Sequence, residues 1–367
     1  MANLSSPLRV GRVELSHRMV LAPLTRFRAD DDHVPLPLMK EYYSQRASEP
    51  GTLLITEATF IAPQAGGYPN VPMIHTPAQI AGWKEVTDAV HAKGSYIYLQ
   101  LWALGRVANP TVLSSEGGFD VVSSSATPAG PDASTPRALD EKEIQAYISE
   151  YAQAARNAVA AGFDGVEIHA ANGYLIDQFT QDTCNTRTDR WGGSVENRAR
   201  FALEVTKAVV DAVGPDRTGI RFSPWSNFQG MRMKDPVPQF AYLAQQLSKF
   251  SLSYVHLVES RISGNADIEA TDQLDFFLDA YNRASPIIFA GGFKPDSASE
   301  AVKSRYAAYD AVIAFGRLFI SNPDLPFRVK SGLPLTPYDR DSFYLAKNPK
   351  GYTDYEFSPE FSAKAAA

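Results

Sequence analysis

Eight short apolar runs, each followed by a longer segment of helical periodicity, predict a (β/α)8 TIM barrel of the α/β class. Strands that alternate with helices imply parallel pairing with right-handed crossovers, and eight is the number that closes such a sheet on itself. The competing architecture, an open doubly wound sheet, shows a glycine-rich nucleotide turn near its start, and no two glycines of this chain are spaced Gly-x-Gly. No Gly-Lys pair is present either, which removes a P-loop. One barrel then accounts for all 367 residues as a single domain, 1–367, although a rule of about 150 residues per domain suggests two.

Taken in order, Leu8 to Leu15 alternates around Gly11 as a small hairpin does, and is placed as an N-terminal cap on one end of the barrel. The apolar runs are Met19 to Pro23, Leu53 to Thr59, Tyr96 to Leu101, Gly165 to His169, Gly219 to Pro224, Tyr254 to Glu259, Pro286 to Gly292, and Ala311 to Arg317. The helices between them carry start and stop signals. Asp140 with Glu143 forms a capping-box pattern ahead of an amphipathic run to Ala161, and Gly162 stops it. Ser194 opens another helix that Gly214 closes. The Pro-, Gly- and Ser-rich stretch from Ala108 to Arg137 is too long for a passive connector; it is expected to fold over the barrel mouth or to carry minor structure. The C-terminal segment 363–367, Ala-Lys-Ala-Ala-Ala, reads as a frayed tail.

A net charge of -6 leaves no basic footprint for nucleic acid or an anionic membrane surface, so small-molecule chemistry is the default. The single cysteine, Cys184, excludes an intrachain disulfide framework and a Cys-based zinc site, which fits a reducing, cytoplasmic compartment. No basic leader precedes an apolar run, and no stretch approaches the ~18 apolar residues of a membrane span. The expected protein acts without nucleic acid or membrane, as a monomer or homodimer.

Working residues of such a barrel belong at the C-terminal ends of the strands, and the polar residues of this chain fall there. The stretch Gly165 to Phe179 runs as an apolar strand and then presents His169, Asn172 and Tyr174, three hydrogen-bond donors within six residues. If the chain turns helically there, His169 and Asn172 share a face and can grip one oxygen atom, with Tyr174 a separate donor nearby. Tyr98, Gln100 and Trp102 share one parity, as do Glu167 with His169 and Arg221 with Ser223; that side is placed inward. A buried Arg221 asks for an anion or strong acceptor, with an ion pair to Glu167 or Glu259 as the structural alternative. The runs ending in Gly291-Gly292 and Gly316-Arg317 free the backbone to approach a ligand where such barrels commonly bind phosphate, and Arg317 adds a bidentate cation. Tyr68, Trp102, Phe228, Phe343 and Tyr344 supply aromatic faces around the expected mouth.

These residues also carry a resemblance. The stretches Ala22-Pro-Leu-Thr-Arg26, Gln100-Leu-Trp-Ala-Leu-Gly-Arg106, Glu167 to Phe179, Asp189-Arg-Trp-Gly-Gly-Ser-Val-Glu-Asn-Arg198 and Gly316 to Leu325 resemble the Old Yellow Enzyme family of flavin-dependent ene-reductases. The likeness runs from about Pro7 to Pro359, and it is similar to the fungal branch that includes ergot-alkaloid biosynthetic reductases. It implies a barrel binding FMN non-covalently, with Pro23, Leu24 and Thr25 on the flavin, Thr25 near O4, Gln100 on the pyrimidine edge and Arg221 at the N1/O2 side. It implies Gly291, Gly292, Gly316 and Arg317 around the phosphate, and His169 with Asn172 holding a substrate carbonyl while Tyr174 donates a proton. Trp102, Phe228 and Tyr344 match pocket-lining positions. Ala58 stands where relatives often have Gly beside the flavin, and the loop from Ser260 to Asn265 diverges.

The family chemistry agrees with the donors read above. NADPH or NADH is expected to deliver hydride to flavin N5 and leave, and an activated alkene to take its place. That sequence of events needs no dinucleotide fold. A metal-dependent barrel hydrolase or aldolase using Glu167, His169, His256 and Glu259 is the competing class, and a binding protein without chemistry the third.

Overall fold

In the computed structural model, which describes residues 2–264 and 266–366, the apolar runs form eight strands. These are β1 (Met19–Leu21), β2 (Leu53–Ile55), β3 (Tyr96–Trp102), β4 (Gly165–His169), β5 (Thr218–Phe222), β6 (Tyr254–Val258), β7 (Ile287–Ala290) and β8 (Ala311–Phe315). Each pairs in parallel with the next. The ring closes where β8 pairs with β1, Ile313 opposite Met19 and Phe315 opposite Leu21. The expected second run breaks in two: Thr59–Phe60 pairs separately with the end of β3. The reason is local, because Thr56 Oγ1 accepts the Gln100 N–H at 3.1 Å and the Glu57 N–H turns to Tyr43 Oη at 2.9 Å.

Strand parity sorts the interior into steps of two residues. Tyr98 and Tyr254 fill the lower step, with ring centroids 5.6 Å apart. They occupy the volume opposite Gly165 and Gly219, where an added Cβ would lie 2.5 Å from a tyrosine ring. Two residues further along the same strands come Gln100, Glu167, Arg221 and His256, and two further again Trp102, His169 and Ser223. The inward placement expected from parity is therefore present. Below the tyrosines the hairpin Leu8–Val10 with Val13–Leu15 plugs the barrel, burying Val10, Val13 and Leu15 against Val20, Leu53 and Val312.

The helices cover the outer face. Asp140 and Glu143 exchange the two capping-box bonds, at 2.9 and 2.8 Å, and the helix Glu141–Ala160 buries Ile144, Tyr147, Ile148, Tyr151 and Ala155 along one side. Ser194 caps the helix Val195–Val213. Of the two expectations for the stretch after β3, minor structure is the one present, and none of its residues lines the cleft at the C-terminal strand ends. The stretch carries the helix Pro110–Gly117 and pairs Val122–Ser123 with Arg137–Ala138. Arg106 ties it toward the loop after β5 by donating to the carbonyls of Thr127 and Pro128, both at 3.2 Å, and of Gln229 at 2.9 Å.

The expected frayed C-terminus is instead a helix, Pro359–Ala366, with Ala367 outside the described residues. Phe361 stacks edge-on against Phe327, and Lys364 lies 3.9 Å from Glu49, so apolar contact and an ion pair hold a segment whose alanines showed nothing to pack. Just before it, buried Arg26, Arg28 and Arg46 donate to the carbonyls of Phe343, Gly351, Ser342 and Tyr352, strapping the segment that carries Tyr344 to the barrel rim. Among the described residues no helix is long and apolar enough to cross a membrane.

The tyrosine step has no slack. Gly219→Ala forces a methyl into the Tyr254 ring, and overpacking of this kind costs about 1–3 kcal/mol. The expected result is a lower denaturant midpoint at unchanged slope; an unchanged midpoint would show that the step has room.

Candidate active site

A cleft of about 630 Å³ opens at the C-terminal ends of the strands. The residues singled out for it line it, with the exceptions of Tyr68 and Phe343. Pro23, Leu24 and Thr25 follow β1, and Ala58 follows β2. Gln100 and Trp102 rise from β3, and His169, Asn172 and Tyr174 from the end of β4 and its loop. Arg221 comes from β5 and Phe228 from the loop beyond it. Gly291 and Gly292 follow β7, Gly316 and Arg317 follow β8, and Tyr344 arrives on the C-terminal strap.

His169 and Asn172 are brought together by a turn, and the helical face expected for them does not form. Asn172 (φ 57) and Gly173 (φ 79) are both left-handed, and the helix Leu175–Thr180 starts only after Tyr174. Asparagine tolerates that conformation, which is why the turn sits on this residue. The turn is pinned on three sides. The Asn172 N–H donates to Ser223 Oγ at 2.7 Å, the Gly173 N–H to Asp177 Oδ2 at 2.9 Å, and Gln229 Nε2 to the Asn172 carbonyl at 2.9 Å.

The protonation of His169 follows from its contacts. Burial, reinforced by the positive charge of Arg221, holds its pKa well below the ordinary imidazole value, so the ring is neutral at pH 7. Nδ1 accepts the Ala171 N–H at 3.3 Å, which leaves the ring proton on Nε2 as a donor. Tyr174 lies edge-on to Trp102 at 4.7 Å and to His169 at 4.9 Å. Burial pushes its phenol above the usual range, so it keeps its proton.

Beneath this rim the floor is polar. Glu167 Oε1 accepts from Gln100 Nε2 at 2.7 Å and Oε2 accepts from His256 Nδ1 at 2.8 Å. Burial raises the Glu167 pKa, but His256, Arg221 and Gln100 outweigh it and keep the group ionised below the usual carboxylate range. Burial keeps His256 neutral. Arg221 is desolvated with Glu167 as its main counter-charge, and its Nε has no hydrogen-bond partner among the described residues. The four carboxylate and imidazole groups of the metal-site alternative do not converge: Glu167 and His256 pair under the floor, while Glu259 is held by Arg261 Nε at 2.6 Å and Tyr306 Oη at 2.7 Å.

At the far end, Gly292 is left-handed (φ 64), and an added Cβ at Gly316 would lie 3.3 Å from Leu24 in the cleft lining. Arg317 donates to both oxygens of Asp267, at 2.8 and 2.7 Å, where Ile262–Ser263 pairs with Ala266–Asp267. Sequence reasoning missed Asp267, Lys294 and Tyr338, all in the lining. Lys294 follows Gly291-Gly292-Phe293 directly and could have been found from that; Asp267 and Tyr338 carry no signal. Phe343 is a correction: it is 4% exposed, packed between Arg26 and Tyr338, because the strap turns it inward and Tyr344 outward. Tyr68 likewise stays behind Trp102, edge-on at 5.9 Å.

The set fits FMN. An unpartnered guanidinium nitrogen and an amide oxygen face one end, a glycine-lined backbone with Arg317 and Lys294 the other, and aromatic rings flank the space between.

Comparison with known proteins agrees. Residues 3–336 match the NADH:flavin oxidoreductase / NADH oxidase family. The chain is 72% identical over 361 residues to the chanoclavine-I aldehyde reductase of Penicillium roqueforti, covering 98% of each protein. It is 53% identical over 361 residues to an aldehyde reductase of a Cladobotryum species, covering 98% of this chain and 96% of that one. The structure of the Old Yellow Enzyme homologue from Zymomonas mobilis superposes with a TM-score of 0.90 at 38% identity, covering 97% of this chain and 99% of the other.

The buried neutral histidines set a pH dependence. His169 and His256 hold pKa values below 6.5, and burial takes His17 to about 3. Below the unfolded value of 6.5 the unfolded chain takes up protons that the native state refuses, so stability falls as pH drops. Each group contributes a slope of about 1.4 kcal/mol per pH unit between 6.5 and its own pKa. Denaturant midpoints from pH 7 to 4 should fall, and less steeply in His17→Gln; parallel curves would contradict the assignment.

Proposed function

The chain belongs to the NADH:flavin oxidoreductase / NADH oxidase family and is an oxidoreductase, and from that premise we propose that it is an FMN-dependent ene-reductase, taking electrons from NADPH or NADH. One observation carries the reading: neutral His169, Asn172 and protonated Tyr174 face one cleft above a floor of one amide acceptor and one cation. When bound, FMN supplies the two-electron chemistry, accepting hydride from the nicotinamide and passing it to the β-carbon of an alkene conjugated to a carbonyl or nitro group.

The side chains do the rest. His169 Nε2–H and the Asn172 amide hold the substrate oxygen and stabilise the negative charge that grows there. Tyr174 keeps its proton at neutral pH and delivers it to the α-carbon. Arg221 would hold the cofactor's N1/O2 side, where an opposite charge about 4 Å away, at an effective dielectric of about 20, would be worth up to about 4 kcal/mol before desolvation. Thr25, Pro23, Leu24 and Ala58, all in the cleft lining, would bound the flavin ring. Trp102 walls the substrate space, while Phe228 (38% exposed) and Tyr344 (50%) stand as apolar rims at its mouth. Such a mouth suits a substrate with a large apolar body, and an unsaturated aldehyde is the first candidate, by the name of the Penicillium roqueforti relative.

The deciding experiment is to release and identify the cofactor, then assay a panel of enals, enones, maleimides and nitroalkenes with NADPH and NADH. FMN and turnover of at least one class are expected. FAD, or a colourless protein that FMN fails to reconstitute, would overturn the proposal.

Tyr174→Phe separates the two halves of the reaction. Reduction by the nicotinamide consumes no proton from this hydroxyl and should stay nearly intact. Enone reduction should slow by roughly 10²- to 10⁴-fold, the usual worth of a general acid. Nitroalkenes, which accept hydride without concerted protonation, should suffer less. Stopped-flow traces of both halves decide it, and an unchanged enone half-reaction removes Tyr174 from the mechanism.

A further inference from the structure

We propose that Glu167 is a positioning residue of the cofactor floor: it fixes the orientation of the Gln100 amide, carbonyl oxygen away from the carboxylate, and sets how much of the Arg221 charge reaches the bound flavin. The inference rests on the FMN reading above.

The geometry begins with pairing. Gln100 lies opposite Glu167 across β3 and β4, and Arg221 lies opposite His256 across β5 and β6, so the four side chains meet inside one step of the barrel. Glu167 is 0% exposed and spends one oxygen on Gln100 Nε2 (2.7 Å) and the other on His256 Nδ1 (2.8 Å). A carboxylate can only accept, so the Gln100 amide cannot turn over: the reverse orientation would set Oε1 against Glu167 with no hydrogen between them. Gln100 therefore offers the cleft its carbonyl oxygen, which suits an imide N–H. The Gln100 backbone is held as well, by Thr56 Oγ1 at 3.1 Å.

Charge gives the second half. Among the described residues facing this step, His256 is neutral, so Glu167 and Arg221 are the two formal charges, of opposite sign. Glu167 is fully buried, whereas Arg221 is part-buried where it lines the cleft. A flavin that becomes anionic on reduction meets an Arg221 whose attraction is already discounted by Glu167. Neutralising the carboxylate removes that discount.

Glu167→Gln tests both consequences in the holoenzyme. At a fixed electrode potential the ratio of reduced to oxidised bound flavin should rise at least tenfold, which is about 30 mV for a two-electron couple. The FMN dissociation constant, read by flavin fluorescence, should rise as well, because Gln100 gains freedom to turn its amine toward the cleft. His256→Leu keeps the carboxylate and strips one of its donors, so its negative charge is less balanced and the ratio should fall several-fold. Opposite shifts in the two variants support the proposal, and a shift in His256→Leu suffices if Glu167→Gln yields no folded holoenzyme. FMN bound at an unchanged potential in either folded variant, with only thermal stability lowered, overturns it and makes the pair packing alone. A parent protein that binds no FMN overturns the functional reading instead, so the two failures are distinguishable.

Discussion

Tyr98 and Tyr254 occupy the space that side chains at positions 165 and 219 would otherwise fill, and the polar floor is built on that filling. A closed parallel barrel has no bore; its interior must be packed to native density by the side chains its strands point inward. With two glycines opposite two tyrosines, the lower step is filled by side chains. The next step up then has neighbours below it that cannot hydrate a charge. Gln100, Glu167, Arg221 and His256 are left to satisfy one another or a ligand, and bonds to Glu167 fix the orientations of Gln100 and His256. The site inherits its rigidity from a packing constraint two residues beneath it.

Polarity in the cleft follows from the same burial. Desolvation keeps His169 and His256 neutral and Tyr174 protonated, so the rim offers hydrogen-bond donors without a titrating charge near neutrality. Carbonyl activation needs donors aimed at an oxygen whose charge grows during the reaction, and fixed neutral donors meet that need without reorganising. The turn that aims Asn172 is expensive in backbone terms, with two consecutive left-handed residues. Three hydrogen bonds from three different elements offset it, which ties the clamp geometry to β5 through Ser223 and to the loop beyond β5 through Gln229.

Much of this was legible in the sequence, because strand parity and strand-end polarity are local signals. Gly165 to His169 was bounded as it stands in the structure, and the inward set Tyr98, Gln100, Trp102 needed only a period of two. What could not be read depends on distant partners. Asn172 and His169 are three apart, and nothing local distinguishes a helical turn from the left-handed one that Ser223 and Gln229 enforce. Phe343 and Tyr344 are adjacent aromatics, and which of them faces the cleft is decided by Arg26 and Arg28, more than three hundred residues earlier, gripping the carbonyl of Phe343. The pairing of Glu167 with His256 spans 89 residues and three strands, and only barrel closure brings it about.

The end of the cleft proposed for the cofactor phosphate poses the one apparent conflict, since Arg317 already grips Asp267 there. The magnitudes resolve it. Asp267 is 62% exposed on its side chain while Arg317 is 14%, so the carboxylate half of the pair remains largely hydrated, and pairs of that kind are worth about 1 kcal/mol or less. A phosphate entering between the glycine backbone and Arg317 carries more charge than the carboxylate it replaces and gains backbone N–H bonds that Asp267 does not make. Arg340, 4.0 Å from Asp267, keeps the displaced carboxylate a cationic neighbour. The ion pair therefore holds the hairpin over an end that a phosphate can still claim, and the exchange trades a weak surface contact for a stronger, better shielded one.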